Sequence, residues 1–257
     1  MNALRVVYLG TPDFAATILK SLIAWPQAEV VGAVTQPDRP MGRGKKIRPP
    51  AVKTLAQESG LPVLQPRSID DPKTIQQLQS LEPDVLVVAA FGMLLNRKIL
   101  DLAPYGALNV HASLLPKYRG AAPIQRALVN GEPVTGITIM QMVPELDAGP
   151  ILIQRALAIG IDDTAGILHD ELAELGGECL LEALHGLLRD ELVPVQQDPE
   201  LVTYAPKLKK EEGRIDWARP AVEVHNHIRA MHPWPGAHFF WPRADDGNTL
   251  RLQVFPG

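Results

Sequence analysis

The sequence predicts an α/β fold: a mostly parallel sheet flanked by helices, then a linker, then a second, smaller unit. Three observations predict it. Short β-branched runs alternate with helical patterns through the first half of the 257 residues. The chain turns polar and proline-punctuated near residues 192–206. Two strand-like runs close to residue 257 have too little partner sequence to complete a sheet. Strand and helix in alternation imply parallel pairing through right-handed crossovers.

Residues 4–9, 29–35, 84–89 and 106–111 read as strands, with helices at 14–24, 51–59 and 73–81 between them. Asp71 before Pro72 is a helix start with proline at the first helical position, and Gly60 is a helix stop. Residues 136–142 alternate in polarity, which predicts a strand with one wetter face, paired near 151–159. A long helix is expected over 164–189, capped by Asp162 or Asp163. Beyond the linker, 211–231 holds a short amphipathic helix, and strands follow around 238–241 and 249–255. No internal repeat or low-complexity tract interrupts this order.

No apolar run reaches the length of a membrane span, and residues 1–10 lack the three regions of a signal peptide, so a cytoplasmic location is expected. The single Cys179 cannot form an internal disulfide and sits in a helical pattern as a small apolar residue. The net charge of −4 argues against global attraction to nucleic acid. It hides a local excess: Arg39, Arg43, Lys45, Lys46 and Arg48 place five positive charges within ten residues, in a loop bent by glycines and stiffened by prolines. Such a loop suits phosphate contacts, with a solvated loop lacking any partner as the alternative. It is not a nucleotide-binding P-loop, because Arg39 stands where the first glycine is needed and no Ser or Thr follows Lys45. After the first strand, Gly10-Thr11-Pro12 lacks the spaced glycines of a dinucleotide site, so no nicotinamide cofactor is expected.

The chemistry concentrates at the end of the strand over 106–111. Asn109 and His111 are two residues apart and project to one face, at the strand end where open α/β sheets bind ligands. An amide donor beside an imidazole suits a reaction in which a carbonyl oxygen becomes negative while a proton moves. That is acyl transfer; a loop cap is the plainer alternative. In the turn-rich stretch 143–150, Asp147 could reach His111 from a neighbouring loop. Ser113 with His111 and Asp147 raises a serine hydrolase, but there is no Gly-x-Ser-x-Gly elbow and Ser113 opens a Leu-Leu-Pro loop. His225 and His227 point about 200° apart on a helix, and neither His169 nor His185 has metal-ligand spacing around it, so no metal is expected.

Together these residues resemble the folate-dependent formyltransferases, and within them the methionyl-tRNA formyltransferase family. The likeness rests on Asn109-Val110-His111, on the run from Ser113 through Leu114, Leu115 and Pro116 to Gly120, and on Asp147-Ala148-Gly149. It also rests on the basic loop 36–50, on Tyr204 through Leu208 with Arg214 through Trp217, and on Pro233 through Gly236. The resemblance implies a Rossmann-like catalytic domain over 1–190, a linker over 191–206 and, over 207–257, the start of a tRNA-binding, OB-like β-barrel cut short. It implies 10-formyltetrahydrofolate as donor and the amine of initiator methionyl-tRNA as acceptor, for translation initiation, with Asn109, His111 and Asp147 catalytic. Phe91, Gly92, Ser113, Leu114, Leu115 and Pro116 would line the folate, and Arg39, Arg43, Lys45, Lys46, Arg48 and Lys207 would meet tRNA. A monomer with no membrane partner is expected. Two alternatives stay open: the same chemistry on the amine of a small metabolite, and a non-catalytic RNA-binding protein.

Overall fold

The computed structural model describes residues 3–41, 46–242 and 249–257. The chain divides into two compact units that interleave in sequence. The first takes Met1–His111, Ile137–Arg155 and Ala173–Asp198; the second takes Ala112–Gly136, Ala156–Leu172 and Pro199–Gly257.

The first half alternates as its apolar runs require: β1 (Leu4–Gly10), α1 (Asp13–Ile23), β2 (Ala28–Val34), the short pair β3 (Arg39–Met41) and β4 (Lys46–Arg48), α2 (Ala51–Glu58), β5 (Val63–Leu64), α3 (Pro72–Ser80), β6 (Val85–Ala89), α4 (Arg97–Leu100) and β7 (Ala107–His111). There follow β8 (Arg119–Gly120), α5 (Pro123–Val129), β9 (Val134–Gln141), β10 (Ile151–Ala158), α6 (Ala165–Leu188), β11 (Tyr204–Ala205), α7 (Ala221–Ala230), β12 (His238–Pro242) and β13 (Thr249–Gln253). Seven strands form one sheet in the order β10-β9-β7-β6-β1-β2-β5. β5, β2, β1, β6 and β7 pair in parallel, and β9 runs antiparallel to β7. Every residue of β6 and β7 is buried, which is why those strands read as unbroken apolar runs.

The chain leaves β1 toward β2 and β5, then returns to β6 on the other side of β1. This reversal makes the carboxyl ends of β1 and β6 the topological switch point, where such sheets open a ligand crevice. Val7, Leu9, Leu86, Val88, Phe91 and Ile99 belong to one apolar cluster of the first unit. Gly10 closes β1 because a Cβ there would lie 2.7 Å from Ala15 Cβ and 3.0 Å from the Ala89 carbonyl oxygen.

Helix ends follow local chemistry. After α2, Leu61 N–H donates to the Ala56 carbonyl (2.8 Å) and Gly60 N–H to that of Gln57 (3.1 Å), with Gly60 at φ +70°; this is a glycine-terminated helix end. Asp71 sits at the N-cap of α3 with Pro72 in the first turn, but its side chain makes no capping hydrogen bond. For α6 the expected Asp162 or Asp163 cap is corrected: Thr164 Oγ1 accepts from Ile167 N–H at 3.2 Å. Asp163 instead accepts from Gly160 N–H at 2.6 Å and closes the preceding turn.

The wetter strand is β10, not β9. All six interior residues of β9 are buried, whereas β10, at the sheet edge, alternates between half-buried and exposed. Threonines made β9 look amphipathic, but Thr138 is enclosed and accepts a hydrogen bond from Gln154 at 3.0 Å, so its polarity is satisfied inside.

In the second unit, β8 and β11 pair in parallel, so the proline-rich stretch after α6 contributes a strand. Gly120 is required at that pairing: at φ +121° its Cβ would stand 2.8 Å from the Ala205 carbonyl oxygen. The buried Arg229 donates to Asn226 Oδ1 and to the carbonyls of Gly160 (2.9 Å) and Asp163 (3.2 Å), tying α7 to the turn before α6. Among the described residues β12 and β13 form a two-stranded antiparallel ribbon; its exposed Trp241 continues an aromatic row with Phe239 and Trp217, while Phe240 stands edge-on to His238. No described helix is long and apolar enough to cross a membrane.

Candidate active site

β7 is short, central and flanked by β6 and β9, which fixes where its last residues point. Asn109 lies opposite Val88 and Met140, and His111 opposite Thr138. Both are buried, at 8% and 6% exposure, and with alternating faces they project to one side. Asp147 enters from the loop between β9 and β10. Its carboxylate Oδ2 lies 3.8 Å from His111 Nδ1, both side chains largely enclosed. That is ion-pair distance and longer than a hydrogen bond.

The loop that presents Asp147 is tightly built. Asp147 itself takes φ +47°, a left-handed conformation uncommon for a residue with a side chain. Two residues on, Gly149 has no alternative, since a Cβ would fall 1.7 Å from the Gln141 carbonyl oxygen. The side chain of Gln197 donates from Nε2 to the carbonyls of both Asp147 and Gly149, each at 2.8 Å. Reading the sequence missed Gln197. It stands 50 residues from Asp147 in a polar stretch with no periodicity, so only the fold could bring the two together.

At the switch point, Phe91 is buried and its carbonyl accepts from Gln36 Nε2 (2.9 Å) and Thr11 Oγ1 (3.1 Å). Gly92 follows at φ +78°, where a Cβ would meet Gln36 Nε2 at 2.5 Å. The two glutamine and threonine side chains were also not singled out in the sequence; they join the ends of β1, β2 and β6 around the backbone proposed to face folate. Ser113, in the second unit, is buried, and its hydroxyl donates to the Lys117 carbonyl at 2.7 Å. Its hydrogen is thus used in a turn rather than held for a nucleophilic role. Leu115 is buried, Leu114 and Pro116 half-buried, and the Leu115–Pro116 peptide is cis.

The basic loop is an antiparallel pair in which Arg39 lies directly opposite Arg48, both exposed. Like charges facing across strands repel. Arg43 and Lys45 lie outside the described residues, and of Lys46 only the backbone is described. The root of the loop is fixed: Asp38 accepts from Gln65 Nε2 (2.7 Å) and from Lys53 Nζ (2.8 and 2.9 Å), and those bonds hold its carboxyl below the usual range. Lys207 is exposed in the second unit. Among the described residues no group of three or more His, Cys, Asp or Glu is placed to hold a metal ion.

A family model described as "Formyl transferase" matches residues 4–184, and one described as "Formyl transferase, C-terminal domain" matches 207–255. A methionyl-tRNA formyltransferase of Nitratidesulfovibrio vulgaris is 55% identical over 254 residues, covering 99% of this chain and 77% of the relative. One from Geobacter sulfurreducens is 50% identical, covering 98% and 78%. Among solved structures, a 4-N formyltransferase from Francisella tularensis superposes with a TM-score of 0.74 at 18% identity, covering 99% of this chain and 98% of that one. A sugar N-formyltransferase from a Shewanella species gives 0.72 at 16%, with the same shares. These structures share the fold. The matched models and the near relatives go further: this chain belongs to the methionyl-tRNA formyltransferase family of formyl transferases.

Proposed function

We propose that the chain transfers the formyl group of 10-formyltetrahydrofolate to the α-amine of initiator methionyl-tRNA, by direct attack and without a covalent enzyme intermediate. The observation that carries this is the buried His111 Nδ1 to Asp147 Oδ2 pair, 3.8 Å apart, beside Asn109 on the same face of β7. The neutral amine forms a bond to the formyl carbon, whose oxygen becomes negative. Asn109 donates to that oxygen, and one such donor typically changes the rate by roughly 10²- to 10³-fold. His111 takes the proton that the new ammonium must lose; Asp147 orients the ring and stabilises its charged form during the transfer. The carbon bond to N10 of the folate then breaks, its electron pair stays on N10, and N10 receives the proton. Carbonyl reforms as an amide.

Phe91, Gly92, Ser113, Leu114, Leu115 and Pro116 are the proposed folate wall. Arg39, Arg43, Lys45, Lys46 and Arg48, with Lys207, are the proposed tRNA contacts, and 207–257 the proposed tRNA-binding region. Phosphate contacts of this kind give affinity that falls with salt, while choice of the initiator needs contacts to bases at the acceptor end. The opposed Arg39 and Arg48 favour an RNA acceptor over a small amine. The test supplies 10-formyltetrahydrofolate with charged initiator tRNA, in parallel with amino sugars linked to nucleotides. Formylation confined to the tRNA supports the reading; formylation confined to the sugar replaces the acceptor, and neither product rejects the chemistry.

A further inference from the structure

We infer that Gln197 is a positioning residue for the transfer, holding the Asp147–Gly149 turn so that the Asp147 carboxylate stays at His111; the inference rests on the catalytic reading above. The geometry is specific. One side-chain amide nitrogen serves two carbonyls of the turn, both at 2.8 Å, and spends its two hydrogens on them. Those carbonyls flank Ala148, so the turn is held directly after the residue that takes φ +47°. Aspartate enters this conformation more readily than most residues with a side chain, and the packing of the turn fixes it there. Gly149, wedged against the Gln141 carbonyl, imposes it from one side, and Gln197 from the other.

Gln197 is itself anchored. Two residues earlier, Val195 exchanges two backbone hydrogen bonds with Ile151, each 2.8 Å, at the start of β10. The same amide nitrogen lies 4.0 Å from the sulfur of Met140, the residue opposite Asn109 across β7 and β9. The glutamine therefore references the turn to β9, the neighbour of the strand that carries Asn109 and His111. Both short hydrogen bonds of this donor go to backbone carbonyls of the turn and not to a reactive side chain. Its effect must pass through the place where it holds Asp147, and misplacing a catalytic group by about 1 Å can cost about 10²-fold in rate.

The test compares five proteins: the parent, Gln197→Met, Gln197→Glu, Asp147→Ala and the double variant Gln197→Met with Asp147→Ala. Methionine keeps length and bulk beside Met140 while removing both donors. With both substrates saturating, Gln197→Met is expected to lower kcat roughly 10- to 100-fold and leave KM for folate and tRNA within about twofold. In the Asp147→Ala background the same change should have no further effect, because its route is already lost. Gln197→Glu, which keeps the shape but offers an oxygen where a donor stood, should match the loss, so a folding defect in one variant does not decide the result. Parental kcat in both glutamine variants, or losses that multiply in the double variant, overturns the inference while leaving the catalytic reading intact. Parental activity in Asp147→Ala rejects that reading and the inference with it.

Discussion

At the level of single residues, the site depends on backbone positions as much as on reactive side chains. Gly149 leaves no room for a methyl group against the Gln141 carbonyl. Gly149→Ala should lower stability by roughly 1–3 kcal/mol and reduce kcat in the surviving folded protein, since the turn must move and carry Asp147 with it; denaturant unfolding and steady-state kinetics check the two effects. Asn109→Ala should reduce kcat by roughly 10²- to 10³-fold with folate binding unchanged, as measured by folate fluorescence titration. Weakened folate binding with unaltered kcat would assign the amide to substrate binding instead. The shared face of Asn109 and His111 was legible in the sequence because the strand period dictates it, and the approach of Asp147 to His111 was suggested by its turn-rich stretch but set by the fold. Gln197, Gln36 and Thr11 were not legible, because each acts on a backbone carbonyl and so leaves no pattern of its own.

At the level of elements, β1, β2, β6 and β7 were readable from apolar runs that only doubly covered strands tolerate. β9 misled for the opposite reason: Thr138 is polar by type yet enclosed and satisfied by Gln154, so composition suggested a wet face where none exists. The start of α6 shows a different limit, since Asp162, Asp163 and Thr164 are adjacent competent caps and only the turn geometry chooses Thr164. In the second unit, Arg126 joins α5 to the segment before α7 by donating to both carboxylate oxygens of Glu212 (2.7 and 3.2 Å) and to the Pro206 carbonyl. The hydrogen bonds from Arg126 hold the Glu212 carboxyl below its ordinary 4.5. Folding therefore gains from this group above about pH 4.5 and loses the gain as pH falls through the lower folded value. In Arg126→Met that part of the acid loss should vanish, which thermal unfolding between pH 3 and about 6 would show as a flatter profile. An unchanged profile would mean that solvent already screens the pair.

At the level of the whole molecule, a chain of net charge −4 concentrates positive charge in one loop whose root is pinned by Asp38, Lys53 and Gln65. Charge placement thus matters more than charge total for meeting a polyanion. Arg48→Ala should raise KM for tRNA and lessen the slope of log(kcat/KM) against log salt by about one unit, leaving KM for folate unaltered; titration in potassium chloride decides it. The interleaving of the two units could not be foreseen from the sequence, where boundaries show only as composition shifts and the stretch after α6 looked unattached. It is in fact paired to Ile151 and to β8. The central claim is that a formyl group passes directly to nitrogen under the control of an imidazole and its carboxylate. The most direct measurement is single-turnover transfer of isotopically labelled formyl to charged initiator tRNA by the parent and by His111→Ala, with both substrates prebound. Rapid transfer by the parent and a loss of roughly 10²- to 10⁴-fold in the variant is the predicted result; equal rates in the two proteins would contradict it.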